Sequence, residues 1–291
     1  MINWTPITAS ISHATQTRFE LADALPLTGG CINQAWRINN CNGQHYFVKL
    51  NDAAQLPMFA AESAGLIAIA ATHTVRVPQP VAHGTADEYA YLVLEYLDLK
   101  GGGNAHLLGK QLAALHRMQS KEFGWPHDNT LGETPQPNKW TTDWITFWRE
   151  QRLGFQLHLA ASNGYGGELQ TLGKQLMERL PEFFASYHPV PSLLHGDLWG
   201  GNHSYTADGT PVLFDPAPYY GDREADLAMT ELFGGFGPDF YAAYRAAWPL
   251  NEGYTTRKVL YNLYHILNHA NLFGGGYARQ AEGMMRRLLG R

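Results

Sequence analysis

The chain has 291 residues, 45% of them hydrophobic and 16% charged, with 8 Trp, 15 Tyr and a formal net charge of −5. That composition excludes disordered, collagen-like and low-complexity classes, and 21 Lys plus Arg against 26 Asp plus Glu, with no basic block, argues against a nucleic-acid partner. The opening MINWTPITASIS lacks a basic n-region and a long apolar h-region, and no run of about 18 apolar residues stands out, so the expectation is a cytoplasmic protein without a membrane partner.

Residues 25–50, LPLTGGCINQAWRINNCNGQHYFVKL, contain the pair Gly29 and Gly30 and then Asn42-Gly43, the strongest short hairpin signal. Two or three antiparallel strands are expected there. The following MFAAESAGLIAIAAT is rich in Ala, Leu and Ile, lacks Pro, and reads as a helix carrying Glu62. VRVPQPVAHGTADEYAYLVLEYLDLKGGG predicts a strand, a turn at Asp87, a second strand and a glycine-rich break at residues 101–103. Beyond the break, HLLGKQLAALHRMQ, WTTDWITFWREQRL and GELQTLGKQLMERLPEFFASY place apolar residues at helical spacing. Within this helical part, the strand-like runs PSLLHGD and PVLFDPA lead to Asp197 and Asp215, with a turn at residues 207–209 between them. The fold class is α+β and bilobal: a small N-terminal antiparallel sheet with one helix over residues 1–97, and a larger, mainly helical C-terminal lobe over residues 98–291. Ligands favour the cleft between such lobes.

The stretch LLHGDLWGGN sets Asp197 and Asn202 at Asp-x4-Asn spacing, and Asp215 follows in DPA. Mg²⁺ is a hard cation that takes oxygen ligands, usually one or two carboxylates or an amide oxygen plus substrate phosphates, which makes Asn202 and Asp215 the expected metal residues. Asp197 then suits the orientation of a substrate hydroxyl and the acceptance of its proton, because phosphoryl transfer depends on positioning and charge neutralisation. Upstream, Lys49 ends the strand HYFVK and Glu62 lies on the next helix. A strand lysine neutralises phosphate charge, and a helix carboxylate fixes its flexible stem. Gly29 and Gly30 lie where a hairpin would cover phosphates by close backbone approach. Each feature is weak alone; in this order they point to a magnesium-phosphate site for phosphoryl transfer.

That order resembles the protein-kinase-like phosphotransferases, in the HGD branch that includes aminoglycoside and choline kinases. The segments GGCINQAW, FVK, AAESAGL, VRVPQPVAHG, LVLEYL, LGKQLAALHR, FGWPHDNTLGETPQPNKWTTDWITFWREQRL, LLHGDLWGGN, DPAPYYGDREADLAM and LNHANLFGG resemble the fructosamine kinase (ketosamine-3-kinase) family along nearly the whole chain. Runs such as PQPNKW and YYGDREADLAM are not requirements of the kinase fold. The resemblance implies a protein-kinase-like fold, ATP with Mg²⁺ as the cofactors, and ATP-dependent phosphorylation of ketosamines, typically at the 3-hydroxyl of fructosamines or ribulosamines, free or protein-bound. The phosphorylated adduct is then unstable and releases its amine, a deglycation. ATP would lie between the lobes, with adenine against a hinge around Glu95, Tyr96 and Leu97. The glycine loop lacks GxGxxG and the metal aspartate stands in DPA instead of DFG, so phosphate contacts do not transfer position by position from protein kinases. Both departures agree with the fructosamine kinase pattern. Competing readings are a kinase of another small alcohol, of aminoglycoside, choline or homoserine type, and a non-catalytic nucleotide-binding regulator.

Other residues are read against plainer alternatives. His195 is expected to hold its loop and not to act as a base, and Asp226 to be a buried carboxylate accepting N–H groups from that loop. Trp140, Trp144 and Trp148 recur every four positions and read first as core. Trp199, two positions past Asp197, is a candidate for stacking on the sugar or its amine-linked chain. His269, with Asn268, is a further substrate candidate that helix packing explains about as well. Of the two cysteines, Cys31 in the phosphate-covering loop is either inert or a site whose oxidation blocks ATP binding; Cys41 lies across the same hairpin. Sequence leaves the oligomeric state open.

Overall fold

The computed structural model describes residues 2–28 and 32–291. It contains two compact units, Met1–Asn104 with His203–Pro216, and Ala105–Asn202 with Ala217–Arg291. Where the sequence suggests one division after Leu97, the chain stays in the first unit through Asn104 and returns to it for the hairpin that precedes Asp215.

The first unit opens with a helix the sequence analysis did not assign, α1 (Thr5–Thr15), with proline in its first turn. Strands β1 (Leu21–Leu27), β2 (Gln34–Asn40) and β3 (His45–Asp52) follow, then α2 (Leu56–Ala71), β4 (Pro80–Ala86) and β5 (Tyr89–Glu95). They build one antiparallel sheet of order β1-β2-β3-β5-β4. The expected hairpin turns at Gly43, which has φ 79°, and Asn40 Oδ1 accepts from the Asn42 and Gln44 N–H groups. The expected turn at Asp87 joins β4 to β5. Ile7 and Ile11 of α1 pack with Ile38, Val48, Leu50, Tyr91 and Val93 on one face of the sheet. Because side chains alternate along a strand, Lys49 points to the opposite face from Val48 and Leu50.

By length and composition alone the helical stretch Ala53–Ala71 would suffice to cross a membrane, although Gln55, Glu62 and Ser63 break its apolar run. Its apolar side chains have a place in the first unit: Met58, Phe59, Leu66 and Ile69 are buried, and α2 packs on β4 and β5. A small sheet of Leu99–Lys100, His203–Thr206 and Pro211–Leu213 completes the unit, tied to it by the Leu213 N–H donating to Arg76 O at 3.0 Å. That bond fixes the strand two residues before Asp215.

The second unit is helical: α3 (Ala105–His116), α4 (Trp144–Trp148), α5 (Phe155–Ser162), α6 (Glu168–Arg179), α7 (Glu224–Leu232), α8 (Pro238–Ala247), α9 (Tyr254–Phe273) and α10 (Tyr277–Leu288). α9 is buried without interruption from Leu260 to Asn268 and packs against α5, α7 and α10. Trp144 and Trp148 lie in the core beside Phe147, Tyr219, Tyr261 and Tyr264, as the periodicity predicts. Trp140 does not join them. Asp143 caps α4 by accepting from the Thr146 N–H, so the helix begins at Trp144 and leaves Trp140 in the preceding loop, 37% exposed. Residues Arg149–Gly154 widen into a π-helical turn that drives Arg152 fully inside.

Candidate active site

In the first unit, β3 and α2 bring Lys49 and Glu62 together, with Nζ 2.7 Å from Glu62 Oε1 and 2.6 Å from Asp215 Oδ1. The Lys49 and Glu62 side chains are nearly buried, while Asp215 is 46% exposed. Burial alone would lower the Lys49 pKa, but the charges and hydrogen bonds of Asp215 and Glu62 outweigh it and hold the amine above its ordinary range. A permanently charged, doubly anchored ammonium is thus presented beside a half-exposed carboxylate. Asp215 itself takes a left-handed backbone conformation, φ 57°.

In the second unit, residues 195–202 are held from below. His195 is fully buried, and the Asp197 N–H lies 3.3 Å from its Nδ1. Asp226, in the first turn of α7, accepts the His195 N–H at 2.7 Å and the Gly196 N–H at 2.9 Å. His116 Nε2 lies 3.1 Å from the same carboxylate. Burial alone would raise the Asp226 carboxyl, yet the His116 hydrogen bond and charge, with the loop N–H groups, hold it below the ordinary carboxylate range. Both sequence assignments, His195 as support and Asp226 as acceptor, match these contacts.

Gly196 sits at φ 85°, and a Cβ there would lie 1.9 Å from Ala217 O. The Ala217 N–H in turn donates to His195 O at 2.9 Å. Asn202 Nδ2 donates to Asp197 O at 2.9 Å and to Asp197 Oδ2 at 3.1 Å. That commits the amide nitrogen to Asp197 and leaves Oδ1 as the acceptor end of the side chain.

The full-length comparisons decide what this arrangement belongs to. The fructosamine kinase family model matches residues 3–291. The chain belongs to the fructosamine kinase family. Within it, the chain is 47% identical to a probable ketoamine kinase of Synechocystis sp., covering 98% of this chain and 97% of that protein. It is 44% identical to the chloroplastic protein-ribulosamine 3-kinase of Arabidopsis thaliana, over 88% of this chain and 79% of that one. A crystal structure from Haemophilus somnus 129PT, assigned as a fructosamine-3-kinase, superposes with a TM-score of 0.89 at 30% identity, covering 97% and 96% of the two chains. The fold of this fructosamine kinase family member is accordingly the protein-kinase-like α+β class expected from sequence.

The remaining expected residues fall out unevenly. Gly29, Gly30 and Cys31 lie outside the described residues. Glu95 is engaged at both ends: its N–H donates to Gln79 O at 2.8 Å and its carboxylate pairs with Arg76 at 2.7 Å. The Tyr96 ring packs near Arg37 and His45. Asn268 is a core amide, accepting from Gln156 and donating to Leu131 O, and is not a substrate group. Trp199 and His269 are linked through a residue that sequence reasoning missed, Phe233, whose ring centroid lies 6.4 Å from the Trp199 ring and 5.1 Å from the His269 ring. The run FGGFG, aromatics set among glycines, was the available signal.

A buried polar network was also missed. Gln136 Nε2 donates to Ala217 O at 3.1 Å and Asn129 Nδ2 to Pro218 O at 2.9 Å. Asn138 Nδ2 and Gln136 Nε2 share Asn129 Oδ1, and Arg152 reaches Asn138 Oδ1 at 2.7 Å and Pro137 O at 2.6 Å. The Arg152 guanidinium lies over the Tyr219 and Phe147 rings, 4.0 and 4.5 Å from their centroids. The PQPNKW segment therefore props the backbone that closes on Gly196.

Proposed function

We propose that this protein transfers the γ-phosphoryl group of Mg-ATP to a hydroxyl of a ketosamine, the 3-hydroxyl of a ribulosamine or fructosamine adduct, as the names of its relatives suggest. The observation that carries the chemistry is the anchored set Lys49, Glu62 and Asp215. Lys49 meets phosphate oxygens, Glu62 keeps its stem in place, and Asp215 and Asn202 Oδ1 each offer a hard oxygen ligand of the kind Mg²⁺ prefers. When bound, Mg²⁺ would offset phosphate charge. Asp197, steadied by Asn202, accepts the proton of the attacking hydroxyl. As the new oxygen–phosphorus bond forms, the bond from γ-phosphorus to its bridging oxygen breaks and that electron pair leaves with ADP. Adenine lies against the hinge around Glu95, Tyr96 and Leu97, where the Glu95 N–H is already given to Gln79 O and its carboxylate to Arg76. The phosphorylated adduct then eliminates its phosphate and frees the amine.

The test is ADP release with Mg-ATP and ribuloselysine, fructoselysine, choline or an aminoglycoside, with Asp197→Asn as control. Turnover of ketosamines alone is expected, and the variant should lose about 100- to 10 000-fold in kcat while still binding ATP. Turnover confined to choline or the aminoglycoside would overturn the substrate, and undiminished turnover in the variant would overturn the role of Asp197.

A further inference from the structure

The second unit carries a run of partly exposed rings that begins beside Asp197. The Trp199 N–H donates to Asp197 O at 3.2 Å, and the six-membered ring of the Trp199 indole packs against Gly201, where a Cβ would come within 2.2 Å of the ring. Trp199 is 40% and Phe233 44% exposed, and their rings stand at 82° to one another, two walls of an open corner. His269 closes a third side at 43° to Phe233. Phe233 belongs to α7's end, yet its position is tied to the Asp197 loop by backbone contact: a Cβ on Gly235 would lie 2.7 Å from the Gly200 Cα, and one on Gly200 would lie 2.7 Å from Gly234 O. Neither loop can take a larger residue at that crossing, so the Phe233 loop packs directly against the loop that carries Asp197.

A ketosamine differs from a free ketose by a secondary amine, protonated at neutral pH. Its nitrogen stands three bonds from the carbon whose hydroxyl is phosphorylated, so a substrate seated at Asp197 must bring an alkylammonium close to the same loop. Aromatic faces attract such a cation and tolerate its alkyl substituent, whichever amine bears it. We propose that Trp199 and Phe233, with His269 behind them, form an aromatic corner that recognises the substrate's secondary ammonium, and that this corner selects glycated amines over free sugars. The proposal rests on the ketosamine kinase reading above.

The experiment compares kcat/KM for an N-alkyl 1-amino-1-deoxyribulose with that for the matched 1-O-alkyl ribulose ether, in the wild type, Phe233→Leu and Phe233→Tyr. The wild type should prefer the amine. Leucine keeps apolar area but removes the ring quadrupole, so the amine-to-ether ratio should fall about 5- to 30-fold in Phe233→Leu, and tyrosine should restore it. A wild-type ratio near one, or a ratio that Phe233→Leu leaves unchanged while both substrates suffer equally, overturns the aromatic corner and leaves the kinase reading standing. A wild type that phosphorylates neither compound, nor ribuloselysine, removes both.

Discussion

At the scale of single residues, Gly196 shows why the HGD motif needs its middle glycine. Its left-handed φ of 85° costs an L-residue about 1–2 kcal/mol, and a methyl group there meets Ala217 O at 1.9 Å, a backbone atom that cannot swing aside. Gly196→Ala therefore forces apart the two strands of chain that support Asp197. A misplacement of about 1 Å can cost 100-fold in rate, so kcat should fall by about that factor or more. ATP affinity, measured by titration calorimetry, should change little, because the Lys49 contacts are made within the other unit. Equal losses in kcat and ATP affinity would mean that the strain spreads beyond this turn.

At the scale of elements, the first turn of α7 acts as a clamp on the loop before Asp197. Asp226 touches no candidate reacting group; it takes two backbone N–H groups and a histidine, making it a positioning residue. Asp226→Asn keeps the shape but turns an NH₂ group toward one of those donors. Hydrogen bonds to charged groups are worth about 1.5–3 kcal/mol, so the variant should unfold at lower urea and lose kcat by about tenfold or more with KM for ATP preserved. A variant destabilised to that extent but with unchanged kcat would reduce Asp226 to a purely structural role. The clamp was readable in sequence because GDREADL puts a carboxylate in the first turn of a helix, where capping chemistry is local. So were Lys49, Glu62 and both hairpins, each set by strand alternation, helix spacing or turn residues. What could not be read is non-local. The Gln136, Asn138 and Arg152 network joins a loop hairpin to a π-helical turn, and Phe233 meets His269 across two helices. The return of residues 203–216 to the first unit likewise depends on tertiary pairing to Arg76 that no local pattern encodes.

For the molecule as a whole, burial of ionisable groups in the second unit makes stability depend on pH with two opposed contributions. His265 is buried in the middle of α9, and burial first, then His269 and Arg152, push its pKa from the ordinary 6.5 down to about 3. The unfolded chain therefore binds a proton near pH 6.5 that the folded chain refuses until about pH 3. The stability from the neutral imidazole is fully present above 6.5 and is lost as pH falls through that window, at up to about 1.4 kcal/mol per pH unit. Glu224 works the other way. Burial raises its carboxyl to about 7 against the opposing hydrogen bond and charge of Arg257, so its contribution is complete below the ordinary 4.5 and fades as pH rises through 7. Asp222 and Glu62, whose carboxyls burial also raises, act in the same sense as Glu224, so wild-type data between pH 4.5 and 6.5 would hide the His265 contribution. Replacing the titrating ring isolates the His265 part: in His265→Gln, the slope of urea unfolding free energy against pH from 4.5 to 6.5 should be more negative than in the wild type, by about 1 kcal/mol per pH unit, exposing the falling contribution of the buried carboxyls. Parallel curves for the two proteins would mean that His265 takes up its proton in the folded state as readily as in the unfolded one, and that the α9 core opens to water at mildly acid pH.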